Sequence, residues 1–539
     1  MRPWVRWSAP ATTLMSRRTQ RACERMSEAL AAIDRPFGAI ADLIRHHAQE
    51  APSRRALADA ETALDYGALD ALMDRIAAAL QRDGVQPGDA IAICAASSVG
   101  YAAVFLGALR AGVAVAPLAP GSTPASLARM IDDADARLLF TDASAAAVVG
   151  PAPPGGVPRI TLDGSGGGMA FDAWLTPAGS KPGAVELQPA SPFNIIYSSG
   201  TTGDPKGIVQ GHGMRWAHVQ RGARYCYGPD TVTLLSTPLY SNTTLVVFFP
   251  TIAFGGCVLL MPKFDAAGYL QLAEQHRVTH TMLVPVQYQR LMAHPAFDAH
   301  DLSSYRFKFS TSAPFNAALK ADVLSRWPGG LVEFYGMTEG GGTCILEAHL
   351  HPAKLHTVGR PAEGSDIRLI DDDGVEVAPG ADGEVVGSSA GMMVGYHRQP
   401  EKTRDAEWFS PEGKRFIRTG DVGRFDADGF LTLFDRKKDL VISGGFNIYP
   451  SDLEVIVRAH PAVADVAVIG VPSAQWGETP VAFVVRREGH ATDADTLLQW
   501  ANAQLGKTQR LAELRWIDEL PRSAIGKVLK RELRDAFAR

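Results

Sequence analysis

Cysteine is scarce in this 539-residue chain: Cys23, Cys94, Cys226, Cys257 and Cys344, with no C-x-x-C pair among them. An odd, scattered set of that kind argues against a thiolate zinc site and a disulfide framework. A reducing, cytoplasmic compartment is therefore expected. A basic excess is missing too. Lys and Arg number 53 against 58 Asp and Glu, a formal net charge of −5, so the electrostatic footprint of a nucleic-acid binder is absent. The most apolar stretch, residues 245–261, is interrupted by Pro250 and Gly255-Gly256 and falls short of the roughly 20 residues a spanning helix needs. It is expected to be buried core, with no integral membrane segment. No repeat of solenoid period occurs. What is present, 46% hydrophobic and 21% charged residues, is the composition of an ordinary globular protein of several domain-sized units.

From Phe37 onward, short apolar runs alternate with helical patterns. Residues 90–94 read as a buried strand, 99–111 as a helix with apolar and small residues spaced by three and four, and 113–116 as the next strand. Strand, helix, strand is a βαβ unit with a parallel sheet. Similar strands are expected at 138–140, 194–197, 231–235 and 281–284, which makes the large region α/β. Residues 145–192, rich in Gly, Pro and Ala, read as surface loops. Charges at Asp435, Arg436, Lys437, Lys438 and Asp439 interrupt the rhythm. A compact unit follows with strands at 466–471 and 481–485 and a helix at 495–505. The expected division is a leader over 1–36, a large domain over 37–434, a hinge over 435–438 and a small α+β domain over 439–539. The leader carries Arg2, Arg6, Arg17, Arg18 and Arg21 and no acid before residue 24. That has the look of a transit peptide, but an unstructured leader, or a start at Met15 or Met26, is the preferred reading.

The chemistry-bearing segment is Tyr197-Ser198-Ser199-Gly200-Thr201-Thr202-Gly203-Asp204-Pro205-Lys206-Gly207. Glycines permit a turn and close backbone approach. Hydroxyls, backbone N–H groups and a lysine can all donate to anionic oxygens, so phosphate is the natural guest. The pattern G-x-x-x-x-G-K-[ST] fails here: Pro205 stands five residues after Gly200, and Gly207 rather than Ser or Thr follows Lys206.

Further motifs follow in order: Tyr335-Gly336-Met337-Thr338-Glu339; Arg418-Thr419-Gly420-Asp421; Asp435 through Ser443-Gly444-Gly445 to Asn447-Ile448-Tyr449-Pro450; and Pro521-Arg522-Ser523-Ala524-Ile525-Gly526-Lys527. With the loop, they resemble the signatures of the adenylate-forming superfamily, which includes acyl-CoA ligases, luciferases and the adenylation domains of peptide synthetases. The resemblance covers roughly residues 37–535. It implies a large multi-subdomain N-terminal α/β domain and a small mobile C-terminal domain. The implied reaction is attack of a carboxylate on the α-phosphate of ATP, giving acyl-AMP and pyrophosphate, followed by displacement of AMP by a thiol.

By that resemblance, Ser198, Ser199, Gly200, Thr201, Thr202, Gly203 and Lys206 hold phosphates. Glu339 and Thr201 serve Mg²⁺, with Thr338 near the α-phosphate. Asp421 accepts the ribose hydroxyls and Arg436 reaches the ribose from the far side. Adenine lies against Tyr335, along Ser312-Ala313-Pro314 and Glu333, Phe334 and Gly336. Lys527 bridges carboxylate and phosphate, since cations must stabilise the charge that grows between two anions. Lys438 is the pivot, and Gly444 and Gly445 line the tunnel of coenzyme A. Phe446 departs from the glutamate frequent at that position.

The segment 237–243 contains no acid that could meet an ammonium group, and burying one unpaired is costly, so amino acids are not expected as substrates. His212, Tyr240, Asn242, Gly340 and Gly341 are expected at the acyl pocket. The low side-chain volume of Gly340-Gly341-Gly342-Thr343, with Tyr240 and Phe315 nearby, predicts a roomy, mostly apolar site for aromatic, alicyclic or medium-chain acids. No carrier domain follows Arg539, so free coenzyme A is the expected acceptor. A freestanding enzyme that loads a carrier protein and a non-catalytic nucleotide-binding relative are the alternatives. A homodimer is the expected assembly.

Overall fold

The computed structural model describes residues 32–150, 154–198, 205–436, 439–443, 446–473, 476–506, 509–523 and 526–538. The leader through residue 31 lies outside them.

The strand Ala90–Cys94 is wholly buried and pairs in parallel with Ala114–Leu118, Ala90 facing Ala114 and Cys94 facing Leu118. Both faces are apolar, Ile91 and Ile93 on one and Ala90, Ala92 and Cys94 on the other, as suits a parallel strand covered from either side. Helix Val99–Arg110 is the crossover; Ser98 caps it by accepting from the Tyr101 N–H, which satisfies one of its free N-terminal donors. Repetition of this unit builds an eight-stranded sheet in the order Gly395–Tyr396, Lys206–Gly211, Pro192–Ser198, Ala114–Leu118, Ala90–Cys94, Ala136–Thr141, Arg159–Thr161, Met169–Ala170. The last two strands correct the reading of 145–192 as loops alone: both pair in parallel inside that stretch.

A second sheet of nine strands has a parallel centre. Arg55–Ala58, Cys257–Leu260, Val232–Leu235, His280–Leu283, Phe307–Ser310 and Gly330–Met337 run side by side. Gly340–Glu347 then turns back antiparallel on the last of them. The 245–261 stretch is buried as expected, but it spans two elements: helix Asn242–Ala253, with Pro250 inside it, and strand Cys257–Leu260. One apolar cluster joins the two sheets, Phe105, Phe193 and Phe249 meeting at centroid distances of 4.9 to 6.1 Å.

An antiparallel sheet follows, in which Asp366–Ile370, Gly383–Ser388, Arg415–Phe425 and Glu407–Phe409 pair in that order and Leu431–Arg436 pairs with Arg415–Phe425. The small C-terminal sheet pairs Val463–Ser473 antiparallel with Gly477–Arg486, and the latter runs parallel to Glu513–Ile517. The chain is thus a mixed α/β protein with a large N-terminal and a small C-terminal domain. Among the described residues no helix is long and apolar enough to cross a membrane. Cys94, Cys257 and Cys344 are free and buried.

Candidate active site

The carboxyl ends of parallel strands are where open α/β sheets bind ligands, and the cleft lies there. Phe307–Ser310 runs out into Thr311-Ser312, and Gly330–Met337 runs out into Thr338-Glu339. Lys206–Gly211, Arg415–Phe425 and the C-terminal turn at Lys527 close the remaining sides. Together they enclose a cavity of about 1060 Å³.

At one end Asp421 is held from both sides. The Tyr335 hydroxyl donates to Oδ2 at 2.8 Å and Arg436 Nε donates to Oδ1 at 3.0 Å. Thr419, in the same strand, fixes the backbone by accepting from the Asp421 N–H at 3.0 Å. Tyr335, Gly336 and Arg436 line the cavity. Ser312 also lines it and adopts a left-handed φ of 79°, an uncommon state for a residue with a side chain. Its Oγ lies 2.5 Å from Thr243 Oγ1, which helps hold it there.

Thr338, Glu339 and Lys206 meet at the middle of the cleft. Gln210 Nε2 donates to the Thr338 carbonyl at 2.7 Å, and the Tyr396 hydroxyl donates to Glu339 Oε1 at 2.9 Å. The Lys206 ammonium sits 5.3 Å from the Tyr396 ring centroid, within cation–π range. Tyr396 and Gln210 are not visible in the sequence as site residues, because strands far apart in the chain bring them here. Among the described residues no group of three or more His, Cys, Asp and Glu could hold a metal. One carboxylate together with phosphate oxygens is a ligand set that Mg²⁺ accepts, so Glu339 would fit such an ion when a nucleotide supplies the remaining oxygens.

Lys527 reaches the same cavity from the small domain. Its turn is tied by the Gly526 N–H to the Ser523 carbonyl at 2.8 Å and by the Lys527 N–H to Ser523 Oγ at 3.2 Å. Gly526 has φ +76°, and a Cβ there would stand 2.8 Å from Val286 Cγ1 of the large domain. A glycine is therefore what lets this turn seat so closely.

The other end of the cavity is an acyl-sized pocket between two helices. Helix His212–Gly222 contributes Met214, His218, Arg221 and Gly222, one face by their spacing. Helix Asn242–Ala253 contributes Asn242, Val246 and Pro250 on its facing side. Tyr240, Tyr225, Tyr227, Phe309 and Phe334 complete the wall.

Several expected residues stand elsewhere. His212 is buried behind the wall, 4.9 Å from the Phe193 ring, its Nε2 without a partner; burial lowers its pKa to about 4. Glu333 turns inward to an ion pair with Lys320, and neither it nor Ala313 or Pro314 lines the cavity. Phe315 is core, stacked on Tyr288 at 5.1 Å. The glycine run does not open a pocket. A Cβ on Gly340 would lie 1.8 Å from the Gly391 carbonyl, one on Gly341 2.9 Å from the Gly387 carbonyl, and one on Gly342 1.9 Å from Ile367 Cδ1. These glycines let the hairpin pack onto the antiparallel sheet, and of them only Gly340 touches the cavity. Ser199, Gly200, Thr201, Thr202, Gly203, Lys438, Gly444 and Gly445 lie outside the described residues, and Ser198 is described only as the end of its strand.

The model of the AMP-binding enzyme family matches residues 44–397, and that of its C-terminal domain matches 452–527. The chain belongs to the AMP-binding enzyme family. This AMP-binding enzyme is 33% identical over 504 residues to a feruloyl-CoA synthase of an Amycolatopsis species, covering 91% of this chain and 97% of the relative. It is 32% identical to an indoleacetate–CoA ligase of Aromatoleum aromaticum, covering 93% and 98%. An amide bond synthetase from Marinactinospora thermotolerans superposes with a TM-score of 0.81 at 29% identity, covering 92% and 99%.

Proposed function

We propose that this AMP-binding enzyme is an AMP-forming carboxylic acid–CoA ligase. One observation carries the reading: a single cavity joins Tyr335 and Arg436, which hold Asp421 just behind its wall, to the Thr338-Glu339 turn, Lys527 and the acyl pocket, which is the set of groups that joining an acid to a nucleotide requires. A carboxylate oxygen forms a bond to the α-phosphorus while the bond to the bridging oxygen breaks and pyrophosphate leaves. The thiol sulfur of coenzyme A then attacks the acyl carbon, and AMP departs with the bonding pair.

Asp421 accepts both ribose hydroxyls, its orientation preset by Tyr335 and Arg436. Adenine lies against Tyr335, beside the backbone of Ser312. Lys206 and the loop at 198–203 hold phosphate oxygens. Lys527 brings a cation to the point where carboxylate and α-phosphate meet, and preorganised charge of this kind usually supplies most of the transition-state stabilisation. Glu339 and Thr201 would hold Mg²⁺, which would supply charge neutralisation to the triphosphate. Lys438 is assigned as the pivot by which Lys527 withdraws, and Gly444 and Gly445 as the lining of the pantetheine channel. The segment 237–243 offers no carboxylate, so substrates lack an α-ammonium group. The cytoplasm, where ATP and coenzyme A meet, is the proposed compartment.

The test is a panel of acetate, butyrate, octanoate, benzoate, a cinnamate and phenylalanine, followed by pyrophosphate release and then by thioester formation with coenzyme A or a carrier protein. Release with the larger acids and a coenzyme A thioester supports the reading. Release followed by transfer only to a carrier protein would replace the acceptor. No release with any acid would remove the activity.

A further inference from the structure

The far end of the acyl pocket is not apolar. Arg221 lines it from the last turn of helix His212–Gly222, and its guanidinium has neither a hydrogen bond nor an ion pair with any described residue. The nearby acid is already engaged: Glu347 takes Arg224 at 2.9 Å. One turn back, His218 also lines the pocket. Its Nδ1 lies 3.5 Å from Arg215 Nη1. A guanidinium can only donate, so Nδ1 accepts and Nε2 carries the hydrogen. Burial, with Arg215 and Arg221 beside it, keeps this imidazole neutral.

Arg215 is itself fully buried and is held by neutral acceptors, the amide oxygens of Asn194 and Gln210 and His218 Nδ1. Arg215 thus stays in the core behind the wall, and Arg221 alone of the two arginines reaches the pocket, with no carboxylate of its own among the described residues. The Tyr225 hydroxyl, also at this end, has no hydrogen-bond partner. The local inventory is donors without an anion. Arg221 is half-buried at the cavity wall; a partly desolvated charge is stabilised by an anion that pairs with it, and arginine does not escape the cost by losing its proton.

Resting on the reading of the chain as an acid-activating ligase, we propose that its substrate carries a second, remote carboxylate, received by Arg221 and His218, on an apolar body that fills the middle of the pocket. A neutral acceptor such as a phenol or a ketone would satisfy hydrogen bonds but leave the positive charge uncompensated, which is why a carboxylate is favoured. Met214, Val246, Val247, Pro250 and Phe334 supply the apolar stretch between the two ends. Met214 and Arg221 are seven residues apart on one helix, about 10 Å along its axis at 1.5 Å per residue. An apolar stretch of that length suits an aryl ring or a medium-length chain between the two carboxylates rather than a single carbon.

The experiment measures kcat/KM for pyrophosphate release with matched pairs: octanoate against octanedioate, 4-methylbenzoate against terephthalate, and 4-hydroxycinnamate against 4-carboxycinnamate. The native enzyme is expected to prefer the diacid in at least one pair by about tenfold or more, the scale of one charge-assisted contact. Arg221→Gln should reduce that ratio to near one, and Arg221→Lys should restore part of it. Binding of the diacid without ATP, read as a rise in melting temperature, gives a second readout that should vanish in Arg221→Gln. An enzyme that activates the monoacids or the phenol and rejects every diacid overturns this inference and leaves the ligase reading standing. So does an Arg221→Gln variant with an unchanged ratio. An enzyme that activates neither member of any pair overturns both.

Discussion

Tyr335 and Asp421, 86 residues apart, are joined by a hydrogen bond of 2.8 Å between the phenol hydroxyl and Oδ2. Arg436 holds the other oxygen. The carboxylate is thus fixed before any ligand arrives, which removes part of the ordering cost of binding.

That arrangement predicts graded losses of nucleotide affinity. Asp421→Asn removes a charged acceptor, and hydrogen bonds to charged groups are worth about 1.5–3 kcal/mol, so the ATP KM should rise roughly ten- to a hundredfold. Tyr335→Phe removes only the orienting bond and should cost about 1 kcal/mol, or roughly fivefold. Steady-state kinetics with varied ATP decide it. An unaltered ATP KM in Asp421→Asn would take Asp421 out of the nucleotide site.

Lys527→Ala should impair acyl-adenylate formation by about 10²–10³, the usual effect of deleting one electrostatic stabiliser. Thioester formation from supplied acyl-AMP should survive far better. The two half-reactions are separated by single-turnover assays, and equal damage to both would contradict the assignment of Lys527 to the first alone.

Tyr396 donates to Glu339 Oε1 at 2.9 Å. Tyr396→Phe frees this carboxylate and should raise the Mg²⁺ concentration for half-maximal activity by roughly fivefold, corresponding to about 1 kcal/mol for one hydrogen bond. Chelation of Mg²⁺ should abolish pyrophosphate release in either form. A Mg²⁺ requirement unmoved by both Tyr396→Phe and Glu339→Gln would remove Glu339 as a ligand.

Gly342→Ala tests what the glycine run is for. Its Cβ would meet Ile367 Cδ1 at 1.9 Å, so the expected result is a loss of about 1–3 kcal/mol of stability from overpacking. The order of preference among acids should stay the same. If Gly342→Ala instead favoured shorter acids at unchanged melting temperature, the glycines would border the acyl pocket after all.

Acid should destabilise the fold through buried histidines. Burial lowers the pKa of His212 to about 4 and that of His280 to about 3, and it also lowers that of His218. Between these values and the unfolded value near 6.5, the unfolded chain binds more protons. Stability therefore rises with pH through that window and is lost as pH falls from about 6.5 toward 4. Each such histidine contributes up to about 1.4 kcal/mol per pH unit. His212→Phe should flatten the slope of melting temperature against pH below 6.5, and an unchanged slope would show that His212 titrates normally.

How much of the fold and the site is legible in the sequence follows from where each signal resides. The strand at 90–94 is legible residue for residue, and the helix from Val99 to within one residue, because apolar runs and turn residues are local properties. The strands Arg159–Thr161 and Met169–Ala170 escape such a reading. They are short edge strands among glycines, defined by the neighbour they pair with rather than by their own composition. Asp421, Glu339 and Lys527 can be named from motifs, and of these Glu339 and Lys527 line the cavity together. The motifs do not show Tyr396 or Gln210, which reach the site through sheet pairing. Gly340, Gly341 and Gly342 look like empty space in the sequence, and the backbone and side chains of another sheet fill that space. Arg221 looks like an ordinary basic residue in a last helical turn; only the fold shows that no acid among the described residues pairs with it.

The most direct test of acid activation uses a carboxylic acid labelled with ¹⁸O in both carboxyl oxygens, incubated with ATP and coenzyme A, with the AMP then analysed by mass spectrometry. Attack of the carboxylate on the α-phosphorus predicts one ¹⁸O in the phosphate of AMP and one retained in the thioester. AMP free of label, or ADP as the nucleotide product, would contradict it.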